Sequence, residues 1–285
     1  MRDEANRAPA QRSVPGRPGS DLMPRVAASL AMGLAALVIA WTGGLFFVAF
    51  WWAASAVVLW EWQRIVRGER LIERIAVGAL AVALAALFAM HASVLGTGAA
   101  LAAGALALGL LAGPGARIWA GAGAIYAGAL VVSLGLLRAS PTFGLPAILW
   151  LFAVVWGTDV AAFFAGRLIG GPKLWPSVSP GKTWSGAAAG AFAGAAFGLL
   201  LGGWTNRADR LFLLGLSTAV VGELGDLFES ALKRRFGVKD SSRLIPGHGG
   251  LMDRLDAFIA ASAFAAAFAA ANSNGAFIAS GLFRW

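Results

Sequence analysis

Between Gly225 and Asp256 the chain places five carboxylates (Asp226, Glu229, Asp240, Asp253, Asp256), six Lys or Arg, one His and a Gly-Gly pair within thirty-two residues. Hard oxygen donors beside cations suit chemistry on phosphate, because carboxylates hold a divalent ion and Lys or Arg neutralises phosphoryl oxygens. At 100° per residue, Glu223, Asp226, Glu229, Ser230 and Lys233 share one helix face about 120° wide. A simple ladder from Glu229 to Lys233 at i,i+4 would stabilise by only roughly 0.2–0.5 kcal/mol. It would not explain Glu223 and Asp226, which stand at or within an apolar run, where an ionisable group is costly. Asp253 and Asp256 follow one turn apart at the start of the next apolar run, as metal ligands or as N-terminal caps. Between the two groups, Lys239-Asp240 and His248-Gly249-Gly250 form a loop whose glycines permit close backbone approach to a ligand.

Two upstream features have weaker signals. Asp159 lies inside an apolar run with Ala162, Phe163 and Gly166 at helical spacing, which suits either a functional carboxylate or a bridge between helices. The stretch 170–186 carries Ser179, Lys182 and Thr183 in a Ser/Pro/Gly-rich loop leading into a helix, a setting that can take phosphate. It is not a P-loop, and an ordinary turn has the same composition.

These residues sit in a chain that is 59% hydrophobic and 13% charged, with mean hydropathy +0.73. That balance predicts an all-α, polytopic membrane protein. Nine apolar runs, near 26–41, 43–62, 75–92, 97–113, 118–137, 145–165, 184–203, 210–225 and 255–271, predict nine transmembrane helices. With the N-terminus cytoplasmic, 19 of the 23 basic residues fall on the inner side, as the positive-inside bias requires. The net charge of +9 therefore reads as topology and attraction to anionic membrane lipids, with no nucleic-acid partner. Residues 1–24, rich in Pro and Arg, read as a disordered cytoplasmic tail. Residues 25–144 read as a transmembrane scaffold and 145–285 as the catalytic transmembrane domain, its loops on the cytoplasmic side. The tryptophan pairs Trp51-Trp52 and Trp60/Trp62 read as interfacial anchors, and Gly121, Gly123 and Gly128 as sites of close helix packing. There is no cysteine, so thiolate metal sites are excluded.

The pattern Ser230-x-Leu232-Lys233-Arg234-x4-Lys239-Asp240-x-Ser242-x2-Ile245-Pro246-x-His248-Gly249-Gly250-Leu251-x-Asp253-Arg254-Leu255-Asp256 resembles the signature of the phosphatidate cytidylyltransferase (CDP-diacylglycerol synthase) family. The likeness extends through Gly225–Ser230, Ser179–Trp184 and Asp159–Gly166. It departs at Gly181 and Ser185, where the family often has Lys and Glu, and at Phe163, where Tyr is common. The resemblance implies reaction of CTP with phosphatidic acid at a bacterial-type cytoplasmic membrane, by a homodimer using Mg²⁺, with room for a second, monovalent cation such as K⁺. It implies Asp226, Lys233, Arg234 and Asp253 as catalytic, and Asp226, Asp253, Glu229 and Asp256 around the metal. Ser179, Lys182, Thr183, Lys239, Asp240, His248, Gly249, Gly250 and Arg254 would bind substrate; Asp159 and Glu223 stay open. A cation-coupled transporter, with acids spread through the membrane depth, and a CTP-dependent lipid kinase are the competing readings.

Overall fold

A computed structural model describes residues 22–91, 93–202, 208–245, 249–275 and 277–284. Inside a bilayer every backbone N–H and C=O must find a partner in its own segment, so each apolar run becomes a helix. The helices are α1 (Leu22–Thr42), α2 (Gly44–Val66), α3 (Leu71–Met90), α4 (Val94–Ala112), α5 (Arg117–Arg138), α6 (Gly144–Leu168), α7 (Trp184–Gly202), α8 (Ala208–Arg235), α9 (Met252–Asn272) and the short α10 (Ser280–Phe283). Among the described residues, seven are long and apolar enough to cross a membrane, and two shorter apolar helices, Leu30–Thr42 and Trp184–Leu200, accompany them. The tail expected over 1–24 lies outside the described residues except for 22–24, which begin α1. The 170–183 loop folds into a small antiparallel hairpin, β1 (Lys173–Trp175) with β2 (Ser179–Thr183), pairing Lys173 with Thr183 and Trp175 with Ser179. Its register shift and its Pro and Gly leave no alternating pattern in the sequence by which a strand could be recognised.

Small residues bring the C-terminal helices into near backbone contact. A Cβ on Gly215 of α8 would lie 2.7 Å from the Gly194 carbonyl and 3.1 Å from Gly198 Cα on α7. One on Gly186 of α7 would lie 2.9 Å from the Ala162 carbonyl of α6. The expected role of Gly121 holds in the same way, since its Cβ would meet the Ala105 carbonyl at 2.6 Å. Large exposed side chains such as Leu95 and Ile118 cover the outer surface, as lipid-facing positions should.

Two of the four tryptophans expected as interfacial anchors are core residues instead. Trp51 and Trp62 are buried, because α2 is wedged against α5 and α9 rather than lying at the rim. Trp51 packs on Phe258 of α9 with ring centroids 5.5 Å apart, and Phe258 stacks on Phe152 of α6 at 5.3 Å. Trp62 packs on Tyr126 of α5 at 4.8 Å and donates its Nε1–H to the Trp119 carbonyl at 2.7 Å. Residues 25–144 and 145–285 therefore share one core.

The connections alternate between ends of the bundle. Glu69 N–H donates to Ala112, the Arg235 guanidinium lies over Trp119 at 5.0 Å, and Lys182 pairs with Asp226. These contacts gather the α2–α3, α4–α5, α6–α7 and α8–α9 connections at one end. At the other, Arg138 donates to the Ala40 carbonyl.

Overpacking a tight helix crossing costs about 1–3 kcal/mol. Gly215→Leu should therefore lower the melting temperature of the purified protein and its yield from membranes. Gly98→Leu, where the added Cβ would meet nothing within 4 Å, should leave both near wild type.

Candidate active site

At the end where the four connections gather, a cavity of about 1390 Å³ opens between α1, α2, α6, the hairpin, α8 and the start of α9. Its lining is of two kinds. Asp159, Lys182, Thr183, Glu223, Asp226, Asp253, Arg254 and Asp256 supply the charged and polar part. Met32 and Ala35 of α1, Phe50 and Val57 of α2, and Val155 and Trp156 of α6 supply an apolar part.

Two sets of contacts hold the charged part in place. Lys233 of α8, buried, sits 2.7 Å from Glu229 and 2.7 Å from Asp253, so one ammonium joins α8 to α9. Asp253 also accepts hydrogen bonds from the Ser241 N–H at 3.0 Å and the Gly250 N–H at 2.8 Å. Its carboxylate is thus the point where α8, the α8–α9 loop at Ser241 and Gly250, and α9 converge. In the second set, Lys182 of β2 pairs with Asp226 of α8 at 2.7 Å, and Arg234 Nε donates to the Val178 carbonyl at 3.4 Å. These two contacts pin the hairpin against α8. The Thr183 hydroxyl accepts the Gly186 N–H at 3.1 Å, so Thr183 caps the N-terminus of α7 while facing the cavity.

The expected site residues thus divide. Asp159, Lys182, Thr183, Glu223, Asp226, Asp253, Arg254 and Asp256 come together on the cavity wall. Glu229 shares the helix face of Asp226 but turns toward α9, where it is fully buried against Lys233 and away from the cavity. Lys233 and Arg234 act as struts, to Asp253 and to the hairpin. Ser179, Lys239, Asp240, Gly249 and Gly250 do not line the cavity; Ile245 and Gly249 pair across the loop, with Ile245 N–H donating to Gly249 at 2.9 Å. His248 lies outside the described residues. Sequence reasoning missed Glu61 of α2, whose carboxylate accepts three hydrogen bonds from the Ser242–Met252 region.

The donor set is one of carboxylates, lysine and arginine, without thiolate or a described imidazole. Among the described residues, no group of three or more His, Cys, Asp or Glu is placed to hold a metal ion by itself. Carboxylate oxygens are the hard donors that a divalent ion such as Mg²⁺ takes one or two at a time, with water and substrate phosphate filling the rest of its shell.

The sequence profile of the cytidylyltransferase family matches residues 23–271. The chain belongs to that family. Among individual relatives it is 40% identical over 259 residues to the phosphatidate cytidylyltransferase of Brucella suis biovar 1, covering 88% of this chain and 94% of the relative. It is 41% identical over 145 residues to that of Haemophilus influenzae, covering 48% of this chain and 50% of the relative. To that of Staphylococcus epidermidis it is 46% identical over 119 residues, 41% of this chain and 46% of the relative. The family match spans α1 to α9, so this cytidylyltransferase-family chain carries the cavity and both of its walls within the matched region.

Removing one partner of a buried ion pair leaves an uncompensated charge, at a cost of about 3–5 kcal/mol. Lys233→Met should therefore lower the melting temperature sharply. The double variant Glu229→Gln/Lys233→Met should recover part of that loss in a double-mutant cycle; additive losses would show that the two side chains are not coupled.

Proposed function

We propose that the protein transfers the cytidylyl group of CTP to phosphatidate, forming CDP-diacylglycerol and releasing pyrophosphate. The observation that carries this reading is the two-natured cavity. One substrate is a polyanion and the other joins a phosphate to a diacyl body, and a single space whose charged part runs into apolar walls can hold both. The family match and the names of the relatives support the same reaction.

A phosphate oxygen of phosphatidate forms a bond to the α-phosphorus of CTP as the bond from that phosphorus to the β-phosphate bridge breaks. Pyrophosphate carries away the electron pair. The attacking phosphate is already anionic, so no side chain has to take a proton from it. Catalysis then rests on bringing two anions together and spreading the charge of the transition state. Lys182 and Arg254 face the cavity and neutralise phosphoryl oxygens. Lys233, held between Glu229 and Asp253, fixes the wall on which Asp253 stands.

Mg²⁺ belongs to this reading, with Asp226 and Asp253 as the carboxylates that would hold it and Asp256, on the same wall, in support. When bound, it would neutralise charge on the triphosphate. Asp159 and Glu223, on the same wall, supply the negative charge that a second, monovalent cation such as K⁺ would need. The cytoplasmic face of a bacterial-type cytoplasmic membrane is the side we assign to the site. The positive-inside bias supports it, since the basic connections gather at the cavity end of the bundle.

The test supplies purified protein with phosphatidate in mixed micelles, Mg²⁺ and CTP labelled at the α-phosphate. Label should appear in a chloroform-soluble product. Label in lipid only from γ-labelled CTP would point to a kinase instead, and no lipid label from folded protein would overturn both. Asp226→Asn should lose activity by about 100-fold or more with only a small fall in melting temperature, since the pair it makes with Lys182 is partly exposed. Wild-type activity in that variant would remove Asp226 from the metal's surroundings.

A further inference from the structure

Glu61 stands near the end of α2, fully buried, and does not line the cavity. Its Oε1 accepts the Ser242 hydroxyl at 2.6 Å and the Leu251 N–H at 2.9 Å, and its Oε2 accepts the Met252 N–H at 2.6 Å. Leu251 and Met252 begin α9, whose N-cap side chain makes no capping hydrogen bond. The first N–H groups of a helix have no partner within it and favour an anion. Glu61 supplies that anion from a helix about 190 residues away in the chain.

The pattern of donors ties this cap to the site. Ser241 N–H donates to Asp253, and its neighbour Ser242 donates to Glu61. Gly250 N–H donates to Asp253, and its neighbour Leu251 donates to Glu61. The two carboxylates therefore take adjacent residues at the same two points of the loop. Gly250 lies between them, and a Cβ there would collide with the Glu61 carboxylate and the Ser241 hydroxyl.

We propose that Glu61 is a positioning residue for cytidylyl transfer: it sets the start of α9 and the α8–α9 loop at Ser242 so that Asp253 faces the cavity at a fixed place. This rests on the reading of the cavity as the active site.

Glu61→Gln keeps the shape but turns an amide NH2 toward one of the three donors. It should lower kcat about 10- to 100-fold while leaving KM for CTP near wild type, as misplacement of a reacting wall does. In protein free of metal and substrate, it should also speed amide hydrogen exchange of Ser241 and of Gly250–Met252, with exchange in α3 and α4 unchanged. Ser242→Ala removes one donor only and should move both readouts the same way by a smaller amount; it carries the test if Glu61→Gln fails to fold. Unchanged exchange at these amides, or a kcat loss that only follows the fraction of folded protein, overturns the proposal. Because exchange is read without turnover, failure of the cytidylyl-transfer reading would show separately, as absence of product from wild type.

Discussion

One buried ammonium, that of Lys233, holds the charged end of this membrane protein together. It lies 2.7 Å from a carboxylate on its own helix and 2.7 Å from one on the next. Charges out of water are tolerated only when paired and hydrogen-bonded, so this contact constrains more than two side chains. Asp253 can stand beside the cavity because Lys233 and two loop amides satisfy its oxygens. Glu229 can lie fully buried because the same ammonium faces it. The α8–α9 loop takes its path because Ser241 and Gly250 must reach Asp253.

The apolar packing exists in service of that arrangement. Gly194, Gly198 and Gly215 let α7 approach α8 at backbone distance, which brings the hairpin before α7 close enough for Lys182 to reach Asp226. The aromatic stack of Trp51, Phe258 and Phe152 fixes α2 and α6 against α9 just beneath its charged first turn. Helices without a hydrophobic force between them in lipid depend on such close packing and on polar contacts.

The long helices were legible because lipid leaves an apolar run one way to satisfy its backbone, so hydropathy alone finds them. The polar face of α8 was legible because the helical period puts Glu223, Asp226 and Lys233 together whatever surrounds them. Period alone could not tell that Glu229, at the edge of that face, turns into the α8–α9 contact rather than the cavity. The hairpin was hidden by composition, and Trp51 and Trp62 by the lack of any local sign distinguishing a core tryptophan from one at the membrane rim. Glu61 was hidden for a different reason. A lone acid between Trp60 and Trp62 looks like the solvated end of a span, and its partners follow 181 to 191 residues later. Such a contact leaves no mark in the spacing of one sequence.

The division into scaffold and catalytic halves follows the motifs but not the forces. The chemistry-bearing side chains are nearly all in the second half, yet the first half supplies the α1 and α2 part of the cavity's apolar wall and the carboxylate that caps α9. A reaction joining a water-soluble nucleotide to a lipid phosphate requires a charged surface at fixed depth beside an apolar one. A second helix layer is then needed for two purposes, to shield the acyl side and to hold the charged turn against it. Glu61 and Trp51, ten residues apart on α2, meet these two needs from one rigid helix. The depth of the charged wall relative to the apolar wall is therefore set by the length of helix between them, which a loop could not fix as firmly.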